Sequence, residues 1–248
     1  MLNNSWTTQR HGPVAELSFS RPPDNFMTFV ALIELADLLE SLAAEPEAAR
    51  VVLLTSATPG YFINHADLGD LERVGSGRAT PAEQGSWPGA LGLLESIPQP
   101  VIAAIDGLAS GGGHELALAA TLRVASDRAR LQQPEVPIGI IPGGGGSVRL
   151  PRLIGPGRAA EVILTGREVT AAEAYRSGWV NQVFPAESFA AETLAYAQSI
   201  ATASAAALSG AKKSIVLGSR MPFADAQTQE RSLFSSLSIK LGPAPSHP

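Results

Sequence analysis

The sequence predicts an α/β fold of parallel strands joined by crossover helices, followed by a helical C-terminal region. Three observations carry this. Short continuous apolar runs at 51–55 (VVLLT) and 101–105 (VIAAI) have the character of strands buried on both faces. Stretches with apolar residues at helical spacing lie between such runs, the order expected of crossover connections. After Pro185 the strand pattern stops, and alanine- and serine-rich helical stretches take over.

Taken in chain order, residues 1–12 are polar and hold no apolar core of an export signal. Residues 14–20 (VAELSFS) partly alternate and read as a strand. An amphipathic helix follows over 28–44, with Leu32, Leu35, Leu38, Leu39 and Leu42 at helical spacing. After the strand at 51–55, residues 69–87 show the least pattern. Glycine, serine, charge and Pro81 dominate there, which predicts a surface loop of the kind that orders on ligand binding. Helical stretches at 89–97 and 113–120 flank the strand at 101–105, and 122–125 (LRVA) is a weaker strand. Helices are expected over 189–203, 206–218 and 222–237, with 242–248 a frayed tail. The expected division is a core over 1–188 and a helical region over 189–248.

Composition narrows the function. The 248 residues are 45% hydrophobic and 17% charged, enough to bury a large core. A net charge of −5 counts against general nucleic-acid binding. The absence of cysteine excludes disulfides and thiolate metal sites and is compatible with the cytoplasm. None of the four histidines, His11, His65, His114 and His247, stands four residues from another. His114-Glu115 opens like a zinc-protease helix, but Leu118 takes the place of the second histidine, so no metal is expected. No apolar run approaches the length of a membrane span, so no membrane is expected as a partner.

The chemistry is concentrated between 100 and 151. A buried strand ends at Asp106-Gly107, and Gly111, Gly112 and Gly113 then open a helix. Glycines at a helix start leave backbone N–H groups uncovered where the helix dipole adds positive charge, a site suited to an anion or to a developing oxyanion. Neither glycine cluster continues as a P-loop or as a dinucleotide fingerprint, and Gly145-Gly146-Ser147-Val148-Arg149 is not a nucleophile elbow. Glu115 falls on the first turn of the glycine-led helix, where the dipole alone favours a carboxylate. Glu135 lies twenty residues further on, before the glycine-rich IGIIPGGGG.

These segments resemble the enoyl-CoA hydratase/isomerase (crotonase) family. IDGLASGGGHELALAA (105–120) is similar to the family segment after the strand leading to the active site. Residues 134–150 match its P-E-x₃-G-x₂-P-x₂-G-G-x₂-R-L signature. LTGREVTAAEAYRSGWVNQVFP (164–185) resembles the following segment, with Thr170 and Glu173 placed as a capping box. YFINHADLGDL (61–71) resembles the loop bearing the other half of the oxyanion hole. The resemblance runs from about 14 to about 237.

It implies a crotonase-type spiral of ββα units with a C-terminal helical oligomerisation region, forming a homotrimer or a dimer of trimers. It implies an acyl-CoA substrate, with coenzyme A as part of that substrate and no separate cofactor. The thioester oxygen would lie between the amides of Ala66 and Gly112, and Glu115 and Glu135 would be the acid/base pair. Asn64, His65, Asp67, Leu68, Gly111, Pro134 and Gly143 are the expected substrate-binding positions. The reaction implied is syn hydration of a trans-2-enoyl-CoA, in fatty acid metabolism in the cytoplasm. Alternatives are another crotonase reaction on an acyl-CoA (isomerisation, C–C cleavage or thioester hydrolysis) and a non-catalytic acyl-CoA-binding protein. Isomerisation needs only one carboxylate, so two favour hydration. RNA binding, known for some members, is disfavoured by the charge.

The sequence also departs from the family. The loop that usually reads Ala-Gly-Ala-Asp is Asn64-His65-Ala66-Asp67 here, so an imidazole replaces a hydrogen atom beside the oxyanion hole. His114 is expected to pack on its helix. The basic C-terminal helix common in the family is not evident before the chain stops, which leaves Lys212, Lys213 and Arg21 as expected phosphate contacts.

Overall fold

The computed structural model describes residues 5–237. The tail expected at 242–248 lies outside them. The chain opens with a hairpin, β1 (Trp6–His11) against β2 (Val14–Phe19), turned through Gly12 at φ +61°. Only β2 is legible in the sequence. β1 is an edge strand with Trp6 alone buried, so no alternation marks it.

Helix α1 (Phe29–Ala43) follows, capped by the Thr28 side chain on the Ala31 N–H. Three ββα turns then wind in succession. β3 (Val51–Ser56) and β4 (Tyr61–Ile63) lead into α2 (Leu68–Gly75) and α3 (Pro81–Ser96). β5 (Val101–Ile105) and β6 (Leu108–Ser110) lead into α4 (Gly111–Ala119). β7 (Leu122–Ser126) and β8 (Arg130–Gln132) lead into a 3₁₀ turn (Val136–Ile138) and α5 (Gly146–Ile154). Each turn adds one strand to each of two sheets. β2, β3, β5 and β7 run parallel in one; β4, β6 and β8 run parallel in the other. This is the spiral of ββα units expected.

After α6 (Pro156–Thr165), β9 (Val169–Thr170) closes the smaller sheet, and after α7 (Ala171–Arg176), β10 (Gln182–Phe184) extends the larger one. Thr170 caps the Glu173 N–H at 3.2 Å, but the Glu173 carboxylate turns to Arg167 instead of completing the expected box. The larger sheet is covered on both faces. Val52, Leu54, Ala103 and Ile105 face the core under α1 and α3, while Val51, Leu53, Ile102 and Ala104 pack with Phe189, Ala197 and Ala201 of the C-terminal region. That double burial is why these strands read as unbroken apolar runs.

Residues 69–87 are not a loop. Asp67 caps α2 through the N–H groups of Gly69 (3.0 Å) and Asp70 (3.3 Å). Thr80 and Glu83 form a complete capping box with Pro81 at the start of α3. Arg73 of α2 meets the Glu83 carboxylate at 2.6 Å and ties the two helices together. The C-terminal helices α8 (Phe189–Ile200), α9 (Ala205–Gly218) and α10 (Phe223–Ser236) stand where the sequence places them.

Candidate active site

The spiral brings the two glycine-rich segments and the 61–71 loop around one cavity of about 440 Å³. Ala66, Gly112, Glu115 and Glu135 all line it, as do His65, Leu68, Pro134 and Gly143. Asn64, Asp67 and Gly111 do not line it. They shape its walls from behind.

The Ala66 strand segment is held by Met27, whose N–H donates to the His65 carbonyl (3.1 Å) and whose carbonyl accepts from the Asp67 N–H (2.8 Å). The Ala66 amide lies between these bonds and, among the described residues, donates to nothing. Gly112 is the second residue of α4, where no acceptor exists one turn back. Gly113 donates its N–H to the Asn64 carbonyl at 3.0 Å, which joins the two segments. Added side chains would collide at both positions: a β-carbon on Gly112 would enter the Trp87 ring, which would have to shift, and one on Gly113 would strike the backbone carbonyls of Ile63 and Asn64, so glycine is required there. Two unused, fixed amides on one cavity wall are what an oxyanion hole needs.

Glu115 is the fifth residue of α4, past its first turn, so that helix's dipole does not account for it. Its Oε1 accepts instead from the N–H of Gly146, the first residue of α5, at 2.7 Å. The helix that follows the second glycine cluster thus positions the carboxylate from the first. Burial, assisted by the neighbouring Glu135 charge, pushes Glu115 up to about 7 despite the lowering effect of that N–H. Glu135 sits at the start of the 3₁₀ turn, 7% exposed. Burial raises it too, opposed by the Gln133 amide, whose Nε2 lies 3.1 and 3.2 Å from its two oxygens, and by His65. Both carboxyls therefore resist ionisation more than a free carboxyl does.

His65 is fixed on three sides. Its ring stacks on Phe26 at 4.5 Å, its β-carbon packs on Gly111, and its Nδ1 lies 2.7 Å from the Ala66 carbonyl. A carbonyl only accepts, so Nδ1 carries the hydrogen. His114 packs inside the protein as expected: its Nε2 accepts from Trp179 Nε1 at 2.7 Å, and burial drops its pKa to about 3.

Of the expected phosphate contacts, Lys212 is overturned. It is 4% exposed, and its Nζ donates to the carbonyls of Leu94 (2.7 Å), Ile97 (2.9 Å) and Gln99 (2.8 Å) at the end of α3. Arg21 pairs with Asp67 at 3.2 Å, and Lys213 is exposed on α9. The sequence reading missed Trp87, Gln133, Gly144 and Gly146. The last two fall in the recognised signature, but nothing local in it says that Glu115 Oε2 will press on Gly144 while Oε1 takes the Gly146 N–H.

A ββα spiral that sets two undonated amides and two buried carboxyls on one cavity has the parts that stabilising a carbonyl oxyanion and moving protons beside it would need. The comparisons place the chain in a family. Residues 9–241 match the family model described as enoyl-CoA hydratase/isomerase. A probable enoyl-CoA hydratase of Mycobacterium leprae is 34% identical, over 90% of this chain and 85% of its own. A carnitinyl-CoA dehydratase of Citrobacter koseri is also 34% identical, over 89% of this chain and 84% of its own. The crystal structure of an enoyl-CoA hydratase from Bacillus anthracis superimposes with a TM-score of 0.86 at 34% identity, covering 93% of this chain and 90% of that one. The chain belongs to the enoyl-CoA hydratase/isomerase family.

Proposed function

We propose that the protein is a hydro-lyase that adds water, syn, across the double bond of a trans-2-enoyl-CoA thioester. The observation that carries this is the presence of both Glu115 and Glu135, each shifted upward by burial, in the one cavity that also holds the Ala66 and Gly112 amides. The thioester oxygen accepts from the two amides. Water attacks the β-carbon while Glu115 takes its proton; the electron pair moves onto the thioester oxygen as an enolate. The enolate returns the pair to the α-carbon, which takes a proton from Glu135; the proton that Glu115 took from water then passes through solvent back to Glu135, which restores both carboxyls for the next turnover. Hydrogen and hydroxyl are added in sum, with no redox change, so the reaction needs no cofactor beyond the coenzyme A of the substrate. Asn64, Asp67 and Gly111 position the donors in this scheme, and His65, Leu68, Pro134 and Gly143 touch the acyl thioester. The relatives named as enoyl-CoA and carnitinyl-CoA hydro-lyases support it.

In this reading the protein works in the cytoplasm, in fatty acid metabolism, as a homotrimer or a dimer of trimers. Phe223 and Phe234 of α10, 78% and 63% exposed, support a covering partner copy, which light scattering after gel filtration measures directly. Among the described residues no helix is long and apolar enough to cross a membrane.

The catalytic roles are tested by Glu115→Gln and Glu135→Gln, each assayed for loss of the enoyl-thioester absorbance of crotonyl-CoA. Each variant is expected to lower kcat by about 10²–10⁴-fold with circular dichroism unchanged. Near-wild-type turnover in both would sink the mechanism.

A further inference from the structure

A second cavity of about 580 Å³ opens directly behind the first; Trp87, Pro88, Gly143 and Gly144 wall both. Its lining is cationic. Arg149, Arg152 and Arg220 line it, with Glu95 the one carboxylate among them. Glu95 Oε1 accepts from Arg149 Nε and from Arg220 Nη2, both at 2.7 Å. Burial pushes the Glu95 carboxyl up, but these hydrogen bonds outweigh it and hold the group below its usual value, so it is ionised. One carboxylate against three guanidiniums leaves two positive charges uncompensated within the lining. Arg149 uses a further N–H on the Gly144 carbonyl and Arg152 one on the Val148 carbonyl, each at 2.7 Å. Donors remain on all three side chains.

Residue 144 sets this charge beside the chemistry. A β-carbon on Gly144 would sit 2.6 Å from Glu115 Oε2, and Arg149 holds the carbonyl of the same glycine. Carboxylate and guanidinium therefore flank a single residue. In the proposed reaction the thioester oxygen rests on Ala66 and Gly112 while the β-carbon faces Glu115. The second cavity adjoins the first on the Glu115 side, at Gly144, which is the side an acyl chain continuing past the β-carbon would take in that reaction.

We propose that the second cavity is a subsite for an anionic acyl terminus, so that the protein favours thioesters whose acyl chain ends in a carboxylate over those ending in a methyl or a quaternary ammonium. This rests on the reading of the first cavity as an acyl-CoA site. Guanidinium donors suit a carboxylate through paired, charge-assisted hydrogen bonds. A trimethylammonium group would meet like charge there instead.

Calorimetry with saturated, unreactive thioesters tests the subsite without requiring turnover. Glutaryl-CoA is expected to bind the wild-type chain about tenfold more tightly than butyryl-CoA, with the preference shrinking as salt is raised. Butyrobetainyl-CoA, with a trimethylammonium terminus, is expected to bind more weakly than butyryl-CoA. In the double variant R152Q/R220Q, both sites being exposed, the glutaryl preference should collapse. Equal affinity for glutaryl- and butyryl-CoA in the wild type would overturn the subsite. So would a double variant that weakens both equally, because the arginines would then serve the coenzyme A phosphates common to both ligands. Failure of the catalytic reading shows separately. A chain that hydrates crotonyl-CoA but has no glutaryl preference loses only the subsite; one that prefers glutaryl-CoA but hydrates neither crotonyl- nor glutaconyl-CoA loses only the hydratase assignment. Binding of no thioester at all overturns both.

Discussion

Glu115 shows how the site is tuned at the scale of one residue. A carboxyl free in solution titrates near 4.5, and here burial first, then Glu135, moves it to about 7. The folded chain therefore holds this proton more tightly than the unfolded chain. The sign follows: Glu115 contributes most to stability below its unfolded pKa, and that contribution is lost as pH rises through about 7. Glu115→Gln keeps the shape, and its amide oxygen can still accept from Gly146. The variant is expected to be more stable than wild type in urea by on the order of 2 kcal/mol at about pH 8, with the gap closing toward about pH 5. A gap of the same size at both pH values would contradict the burial of a charge at this position. In the proposed reaction the same titration bears on turnover. If Glu115 accepts the water proton and Glu135 donates the α-proton, kcat/KM for crotonyl-CoA should rise with pH through about 7 and fall again as Glu135 loses the proton it must donate. A profile flat across that range would remove Glu115 as the base.

At the scale of elements, the strands and helices that surround the site differ in how openly the sequence declares them. α4 and its glycines are legible because the cluster directly follows a buried strand and opens a helix, although the reason for Gly112 and Gly113, the close approach of Trp87 and of the Ile63 and Asn64 carbonyls, is long-range. α2 and the first half of α3 are not, since their glycines and Pro88 imitate a loop while the decisive signals are the caps at Asp67 and Thr80; the second half of α3 is the helical stretch expected at 89–97. β1 escapes for the opposite reason: an edge strand exposed along most of its length has no buried face to leave a pattern. Lys212 is the clearest failure of local reading. A lysine on an alanine-rich helix looks like surface charge, yet α9 uses it to close three carbonyls at the end of α3, and burial lowers its pKa to about 8. Lys212→Met would leave those carbonyls buried without a donor. It is expected to lower stability by about 3 kcal/mol in denaturant unfolding. A loss below about 0.5 kcal/mol, the size of an ordinary surface change, would contradict the clamp.

Over the whole molecule, the site is a product of winding. Ala66 follows β4, Gly112 and Glu115 follow β6, and Glu135 follows β8, so each successive turn of the spiral delivers one part to the same end of the smaller sheet. Sequence could name these residues through the spaced motifs, because the motif residues are the ones that touch. It could not name Gln133 as the partner of Glu135, or Gly146 as that of Glu115, since those pairings depend on side-chain direction and on how α5 meets α4. Nor could it join Arg149, Arg152 and Arg220 around Glu95, because α5, α3 and the turn between α9 and α10 converge only in three dimensions. The central claim, that this assembly adds water across an enoyl thioester, is tested most directly by turning over crotonyl-CoA in D₂O and locating the label in the product by mass spectrometry and NMR. The account predicts a β-hydroxy thioester with one solvent deuterium on the α-carbon. A product that carries deuterium on the γ-carbon without a hydroxyl group, or free crotonate released by hydrolysis, would contradict it.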